Sequence, residues 1–205
     1  MIKTIISGGV LMVPILLCGI IATFIIVERL AYFIAARKRD ARLLCSVRTA
    51  LSAHNGAEAK TACEVAGTPC AQVLATALSA PHLDEAHLKE LLQAKMDSVV
   101  PQLEHHLSAL GTISHIATLL GLLGTVTGNI KAFGVLGGGG SMGNPALLAS
   151  AIAEALVTTV GGLCISIPSF IFYNYFTSQV NKFIREMELA VTLVIFKLTG
   201  TDVPA

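Results

Sequence analysis

A single carboxylate, Glu154, lies within residues 146–176, a stretch that carries no other charged side chain and is long enough to cross a bilayer as a helix. A charged residue at the centre of a membrane helix costs roughly 2.5 to 3.5 kcal/mol on insertion scales, and such residues face a bundle interior or a water-filled path. Thr158 and Gly161 share the face of Glu154 at helical spacing, and Thr159 is adjacent. The pattern predicts a functional carboxylate beside hydroxyl groups.

A second stretch, residues 107–130, has a polar face of its own. At about 100° per residue, one narrow arc of this helix holds Ser114, Thr118, Gly121, Thr125 and Gly128. Small residues let helices approach closely, and hydroxyl groups can also serve a hydrated path. Both interpretations can hold on one arc. In the two stretches together we expect close helix packing at Gly121, Gly124, Gly128, Gly161, Gly162 and Pro168.

The composition is typical of a membrane protein. The chain is 54% hydrophobic and 13% charged, whereas a soluble domain carries about 25% charged residues. Three stretches reach the ~20 apolar residues that a membrane helix requires: residues 5–27, 107–130 and 146–176. We therefore predict an all-α membrane protein with three transmembrane helices, in which long helices extend into a helical cytoplasmic domain.

Lysine and arginine predict the orientation, because segments rich in them stay on the cytoplasmic side. Six follow the first span (Arg29, Arg37, Lys38, Arg39, Arg42 and Arg48), whereas only Lys3 precedes it. We expect an uncleaved first span, an N-terminus outside and a C-terminus inside. The predicted layout is a first span at 1–32, a cytoplasmic helical domain at 33–104, a second span at 105–133, a Gly-rich periplasmic loop at 134–145, a third span at 146–176 and a cytoplasmic C-terminal helix at 177–205.

The predicted cytoplasmic domain reads as short helices followed by a long one. Breaks are expected at residues 54–56 and 67–69, with Pro69 in a first helical turn. From Asp84 the helical pattern runs on to residue 130, with only Pro101 to kink it or mark a junction. We expect part of its apolar stripe to face neighbouring subunits; the alternative is a purely intramolecular bundle. The stripe comprises Leu88, Leu91, Leu92, Met96, Val99, Val100 and Leu103.

Cysteine and histidine usage argues against a disulfide framework and against a metal centre. The cysteine count is odd, at five, and no C-x-x-C occurs. A site built on His82, His87, His105 and His106 is the weaker alternative to solvated histidines, because their spacing is unlike that of known zinc sites. We expect no cofactor, no metal and no nucleic-acid partner, with membrane lipid around the spans.

Three sequence runs together resemble the MotA/TolQ/ExbB proton-channel family. The first comprises residues 8–16 (GGVLMVPIL), leading to 28–30 (ERL). The second comprises residues 119–128 (LLGLLGTVTG). The third comprises residues 152–159 (IAEALVTT), continuing to 162–163 (GL), 167–168 (IP) and 173–174 (YN). The match covers all three spans in their order, and the length and span number favour the ExbB/TolQ branch over the longer, four-span flagellar MotA.

The resemblance implies a channel subunit of the bacterial inner membrane, driven by proton-motive force. It implies a homopentamer around two copies of a single-span partner of the ExbD/TolR type, whose membrane helix supplies an essential aspartate, and a motor that moves a TonB- or TolA-like envelope protein. The family's pore-facing hydroxyls map onto Thr125 and Thr159, and its third-span carboxylate maps onto Glu154. Thr158 joins this expected proton pathway.

Other functions remain open on the residues alone. One is a structural membrane scaffold whose polar faces only pack, and another is a stator for a different process such as motility. An enzyme is disfavoured, because hydrolysis requires a nucleophile and base or a metal within hydrogen-bond reach. The spans offer only Glu154, His115, Cys18 and Cys164. The nearest candidate cation for Glu154 is Lys131, at the outer end of the second span.

Overall fold

The computed structural model describes residues 8–52, 56–80, 84–137 and 145–199. Within these ranges the chain forms helices and no strand, so the predicted all-α class is confirmed. The helices are α1 (Met12–Ser52), α2 (Gly56–Ala66), α3 (Pro69–Ser79), α4 (Glu85–Glu104), α5 (Leu107–Gly137) and α6 (Pro145–Thr199).

Three of these helices are long and apolar enough to cross a membrane. The candidate spans lie within Met12–Val47 of α1, Leu107–Gly137 of α5 and Pro145–Ile195 of α6. α1 and α6 continue without interruption beyond their apolar stretches, and Pro168 lies inside α6. α5 remains helical to Gly137, so residues 134–137 of the predicted loop are helical, and residues 138–144 lie outside the described residues.

The expectation of one helix from Asp84 to residue 130 is wrong. α4 ends at Glu104 and α5 begins at Leu107, with Pro101 inside α4. His106 has a φ of 63°, a left-handed conformation that is uncommon for residues other than glycine and that ends the helical path. The His106 Nδ1 atom lies 3.0 Å from Glu28 Oε2. A contact with a residue 78 positions away thus accompanies the break.

The chain divides into two compact units. Unit 1 comprises Met1–Glu28 and His106–Tyr175, and unit 2 comprises Arg29–His105 and Phe176–Ala205. In unit 1, α6 contacts the first part of α1 where glycines leave room. A Cβ atom on Gly19 would lie 2.8 Å from Ile165 Cδ1, and one on Gly161 would lie 3.0 Å from Met12 Cε.

Unit 2 has a core of large apolar side chains. Phe33 stacks on Phe176 with ring centroids 5.6 Å apart and also contacts Phe183. α3 begins as predicted, with Pro69 in its first turn and the Thr68 hydroxyl accepting a hydrogen bond from the Ala71 N–H at 3.2 Å. α3 packs on both α2 and α4.

The apolar stripe of α4 is covered mainly within the chain. Five of its residues are at most 3% exposed: Leu88, Leu92, Met96, Val99 and Leu103. Leu91 is exposed. Five of the seven residues of the stripe are therefore covered within the chain, and the expectation that the remaining part faces neighbouring subunits stays a prediction. α3 packs on α4 and contributes to the burial of this stripe.

Candidate functional site

α5 and α6 pack through small residues at close distance. A Cβ atom on Gly162 would lie 2.5 Å from the Ala117 carbonyl oxygen and 3.0 Å from Gly121 Cα. A Cβ atom on Gly124 would collide with the Thr158 hydroxyl, and one on Gly128 would collide with Ala155. These approaches are of the kind that small residues permit between membrane helices.

The adjacent threonines Thr158 and Thr159 have different surroundings. Thr158 is buried, and its hydroxyl lies 2.8 Å from the Ala155 carbonyl oxygen of its own helix. The Thr159 hydroxyl is half-buried and lies 3.0 Å from the Gly121 carbonyl oxygen of α5, with the Ala155 carbonyl at 3.1 Å. Thr158 therefore fills the helix contact, whereas Thr159 bridges the two helices by a hydrogen bond.

A further chain of hydroxyl groups links the same two helices. Thr118 Oγ1 donates to Ser166 Oγ at 2.6 Å, and Ser166 Oγ donates to the Ser114 carbonyl oxygen at 2.6 Å. The Ser114 hydroxyl is buried and bonds to the Gly111 carbonyl oxygen at 2.7 Å. Ser166 was not among the residues predicted from the sequence. Its position seven residues after Thr159, two helical turns further on, is the signal that could have found it.

Thr125 lies one helical turn after Gly121, the residue whose carbonyl oxygen accepts from the Thr159 hydroxyl. Its hydroxyl is half-buried and donates to the Leu122 carbonyl oxygen of α5 at 2.6 Å. Thr118 and Thr125 are seven residues apart on α5, as are Thr159 and Ser166 on α6, so each pair lies on one side of its helix. We refer to Thr118, Thr125, Thr159 and Ser166 as the hydroxyl edge.

Glu154 is paired with the cation that sequence analysis named as its nearest candidate. Lys131 Nζ donates to Glu154 Oε1 at 2.6 Å, with the carboxylate side chain 26% exposed and the lysine side chain 56% exposed. Gly9, just before α1, approaches the same carboxylate oxygen so closely that a Cβ atom there would collide with it. Glu154 Oε1 is thus a meeting point of the segment before α1, the end of α5 and the start of α6.

The ion pair and the hydroxyl edge lie on different sides of α6. Residues five apart on a helix differ by about 140° around its axis, which separates Glu154 from Thr159. On the side of Glu154, Gly161 meets Met12 and Ile165 meets Gly19, so this side faces α1. The structure brings Glu154 together with Lys131 and Gly9, and Thr159 together with Gly121, as two separate groupings.

The remaining candidate residues lie away from both groupings. Pro168 lines a shallow apolar groove between α1 and α6, together with Gly19 and Ser169. The His115 ring meets the edge of Phe170, with centroids 6.3 Å apart. Across residues 8–52, 56–80, 84–137 and 145–199, no three His, Cys, Asp or Glu side chains come together in a metal-binding arrangement. His82, one of the candidate ligands, lies outside these ranges.

Unit 2 buries an acid and two thiols beyond the apolar stretch of α1. Asp40 follows Arg37, Lys38 and Arg39, and its carboxylate is buried. Loss of solvation raises the pKa of Asp40, and the Thr68 hydroxyl lowers it by less. Burial raises the pKa of Cys63 to about 11 and that of Cys70 to about 12. Both thiols are therefore protonated and unreactive at neutral pH.

Comparison with known proteins identifies relatives of one kind. The model of the MotA/TolQ/ExbB proton channel family matches residues 65–189. The chain is 30% identical to the biopolymer transport protein ExbB-like 3 of Synechocystis sp., over 84% of this chain and 82% of the relative. It is 30% identical to the biopolymer transport protein ExbB of Neisseria meningitidis, over 78% and 77%. It is 34% identical to the Tol-Pal system protein TolQ of Haemophilus influenzae, over 49% and 45%.

Proposed function

This chain belongs to the MotA/TolQ/ExbB proton channel family, and on that premise we propose that it is the channel subunit of an ExbB/TolQ-type motor that uses proton-motive force to move a TonB- or TolA-like envelope protein. It is a multi-pass protein of the inner (cytoplasmic) membrane, with three helices long enough to span it. In the proposed motor, a single-span partner of the ExbD/TolR type supplies the membrane aspartate that takes up and releases the proton.

The hydroxyl edge is the observation that carries the proposal. The Thr159 hydroxyl bonds the Gly121 carbonyl oxygen across the helix contact at 3.0 Å, and Thr125 follows Gly121 by one helical turn on α5. Hydroxyl groups both donate and accept, so they can solvate a partner's carboxylate in either protonation state. The Thr118 and Ser166 pair extends the same edge along both helices. We assign this edge to the partner's aspartate.

Glu154 and Thr158 have supporting positions in this proposal. Thr158 fills the contact opposite Gly124 and keeps the two helices in register. Glu154, paired with Lys131 on the α1 side, sets the charge near the outer end of the path. The glycines at positions 121, 124, 128, 161 and 162 permit the close packing on which this geometry depends, and Pro168 lies at the α1 groove.

We propose a homopentamer around two partner helices, with the N-terminus outside. The charge asymmetry between Lys3 and the six basic residues after the first span supports this orientation. Gly137 tolerates labelling chemistry, because a Cβ atom there has nothing within 4 Å. A membrane-impermeant probe should modify Gly137→Cys from the periplasmic side, and modification only from the cytoplasmic side would reverse the orientation. Native mass spectrometry that detects only monomers would reject the pentamer.

Proton flux into proteoliposomes that contain this subunit and its partner tests the function. Thr125→Val and Thr159→Val remove the hydroxyl with little change in volume and should each lower flux about tenfold, which corresponds to the lower end of the roughly 1.5–3 kcal/mol of a hydrogen bond to a charged group. Thr127→Val is the matched control, because the Thr127 hydroxyl bonds carbonyls of its own helix and lies about 200° around α5 from Thr125.

Equal flux in all three variants would remove the hydroxyl edge from the path. An assembled wild-type complex that conducts no protons would favour the second candidate, a structural scaffold. The packing observed at Gly121, Gly124 and Gly128 is compatible with that alternative, because close contact alone requires no ion path.

A further inference from the structure

Lys131 stands out among the charged residues of the three membrane-spanning stretches. It lies in the last two turns of α5, and its ammonium group donates to Glu154 Oε1 at 2.6 Å, across 23 residues of sequence. The lysine side chain is about half exposed, and the carboxylate lies deeper. The half-exposed ammonium therefore contacts a less exposed carboxylate, and the pair joins the end of α5 to the start of α6.

We infer that Lys131 is a positioning residue that keeps Glu154 as a fixed counter-ion, so that Glu154 anchors the segment before α1 and does not itself carry protons. The inference rests on the proposed channel function, because it places the Lys131–Glu154 ion pair outside the hydroxyl edge, which conducts protons in that proposal. It concerns the side of α6 that faces α1, where Glu154, Gly161 and Ile165 contact that helix or the turn before it.

Steric contacts restrict where the Glu154 carboxylate can lie. Gly9 has a φ of 64°, a conformation that favours glycine, and a Cβ atom at this position would also collide with Glu154 Oε1. The carboxylate oxygen is therefore close to both the Lys131 ammonium and the Gly9 backbone. Swinging Glu154 toward the hydroxyl edge would break the ion pair and leave a gap beside Gly9. Two independent contacts thus hold one oxygen in place.

The ion pair and the direction of Glu154 also separate this residue from proton transfer. The Lys131 ammonium donates to Glu154 Oε1 at 2.6 Å, so this oxygen is held in an ion pair on the α1 side of α6. A proton carrier must gain and lose its proton in each cycle, and it must face the groups that exchange protons with it. Glu154 instead projects about 140° away from Thr159, the hydroxyl that bridges α5 and α6. The position of Glu154 and its pairing with Lys131 both assign it a role that involves no proton transfer.

The test is rescue of Glu154→Gln by removal of its partner's charge. Glu154→Gln alone leaves the Lys131 ammonium without its counter-charge and removes the ion pair that holds the carboxylate oxygen near Gly9. We expect proton flux to fall about tenfold. In the double variant Glu154→Gln/Lys131→Gln two neutral amides can hydrogen-bond in place of the ion pair, so flux should return to within about threefold of wild type.

A proton-carrying Glu154 makes the opposite prediction, because the double variant lacks the carrier just as the single variant does. Flux in the double variant that stays as low as in Glu154→Gln, or a double variant that does not assemble, would overturn the inference. Lys131→Arg gives a second measure. It keeps the cation and should retain flux within about twofold, since charge and hydrogen bonding to the carboxylate persist. Loss of flux in an assembled Lys131→Arg complex would contradict a positioning role.

Two further arms separate this inference from the proposed function. Lys182→Gln is the matched control, because Lys182 is half exposed, lies 3.9 Å from Glu186 and should leave flux unchanged. Wild type and Thr159→Val are measured in parallel. Wild-type complexes without flux would reject the channel function and this inference together. Wild-type flux that Thr159→Val lowers, combined with no rescue in the double amide variant, would reject the inference alone.

Discussion

The two units of the chain bury different kinds of side chain. The closest approaches between α5 and α6 in unit 1 involve glycine, alanine and threonine, and polar groups bond from helix to helix at Thr118, Ser166 and Thr159. The core of unit 2 is made by aromatic and large aliphatic side chains, including Phe33, Phe176 and Leu92.

The difference is the one expected if lipid surrounds unit 1 and water surrounds most of unit 2, as in the layout predicted from the sequence. Lipid is as apolar as a leucine side chain, so burying large apolar groups does little to drive membrane helices together, and close packing and hydrogen bonds decide. Unit 2 lies largely outside the apolar stretches, where about 25 cal/mol per Å² of buried apolar surface favours a core of large side chains. Substitutions that remove side-chain volume should therefore destabilise unit 2 most, and substitutions that add volume should destabilise unit 1 most.

The largest expected effect is a loss of volume in unit 2. Phe176 is fully buried and stacks on Phe33, so Phe176→Ala should destabilise unit 2 by about 3–5 kcal/mol. Leu189→Ala is the control on the same helix, because Leu189 is 66% exposed. Urea unfolding followed by limited proteolysis measures both. Equal destabilisation by the two variants would contradict the proposed core.

The next effect is a gain of one methyl group in unit 1. Gly162→Ala places a Cβ atom 2.5 Å from the Ala117 carbonyl oxygen, and overpacking of this kind costs about 1–3 kcal/mol. Gly134→Ala adds the same group on α5 with nothing within 4 Å. Thermal unfolding in detergent should show a lower midpoint for Gly162→Ala only. A similar midpoint for both variants would mean that the helices need no close contact.

The smallest effect concerns the buried acid of unit 2. Burial raises the pKa of Asp40 in the folded state, so the folded state holds this proton more tightly than the unfolded state does. Stability is then greatest below the usual aspartate pKa of about 3.9 and falls as pH rises through the higher folded value. Asp40→Asn should remove this slope and exceed wild type in stability above that range.

Unfolding midpoints between pH 4 and pH 7 measure the slope. Asp97→Asn is the control, since Asp97 is exposed on α4 and its replacement should leave the wild-type slope intact. A slope that persists in Asp40→Asn would assign it to another group. The two units also differ in how each holds a carboxylate. Unit 1 pairs Glu154 with Lys131, whereas the Asp40 carboxylate of unit 2 is buried without a hydrogen bond of standard geometry among the described residues.

The helical class, the three spans and the family followed from the sequence, because apolar length and the three runs are local signals. The break at His106 did not. Neither neighbour is a glycine or proline, and the contact that accompanies the turn comes from Glu28, far away in sequence. The local sequence around His106 contains no signal for a contact with a residue so far away in the chain.

The candidate site was predictable in its residues but not in its grouping. Thr158 and Thr159 are equivalent in sequence, yet one fills the helix contact and the other bonds Gly121. Only the pairing of α5 with α6 distinguishes them. Lys131 was recognisable as the nearest cation to Glu154, but that it lies 2.6 Å away depends on how the ends of two helices meet. Helical periodicity assigns a face to each helix and leaves open what that face meets.

Cross-linking to the partner tests the central claim, that the hydroxyl edge rather than another side of α6 faces the conducting partner. Thr159→Cys is made in a chain that keeps the native Cys164 and lacks Cys18, Cys45, Cys63 and Cys70, and the partner carries a cysteine one turn from its membrane aspartate. Cys164 is exposed, lies five residues from Thr159 and therefore projects about 140° away from it. We predict a disulfide from position 159 to the partner and none from Cys164. Cross-linking through Cys164 but not through position 159 would contradict the account.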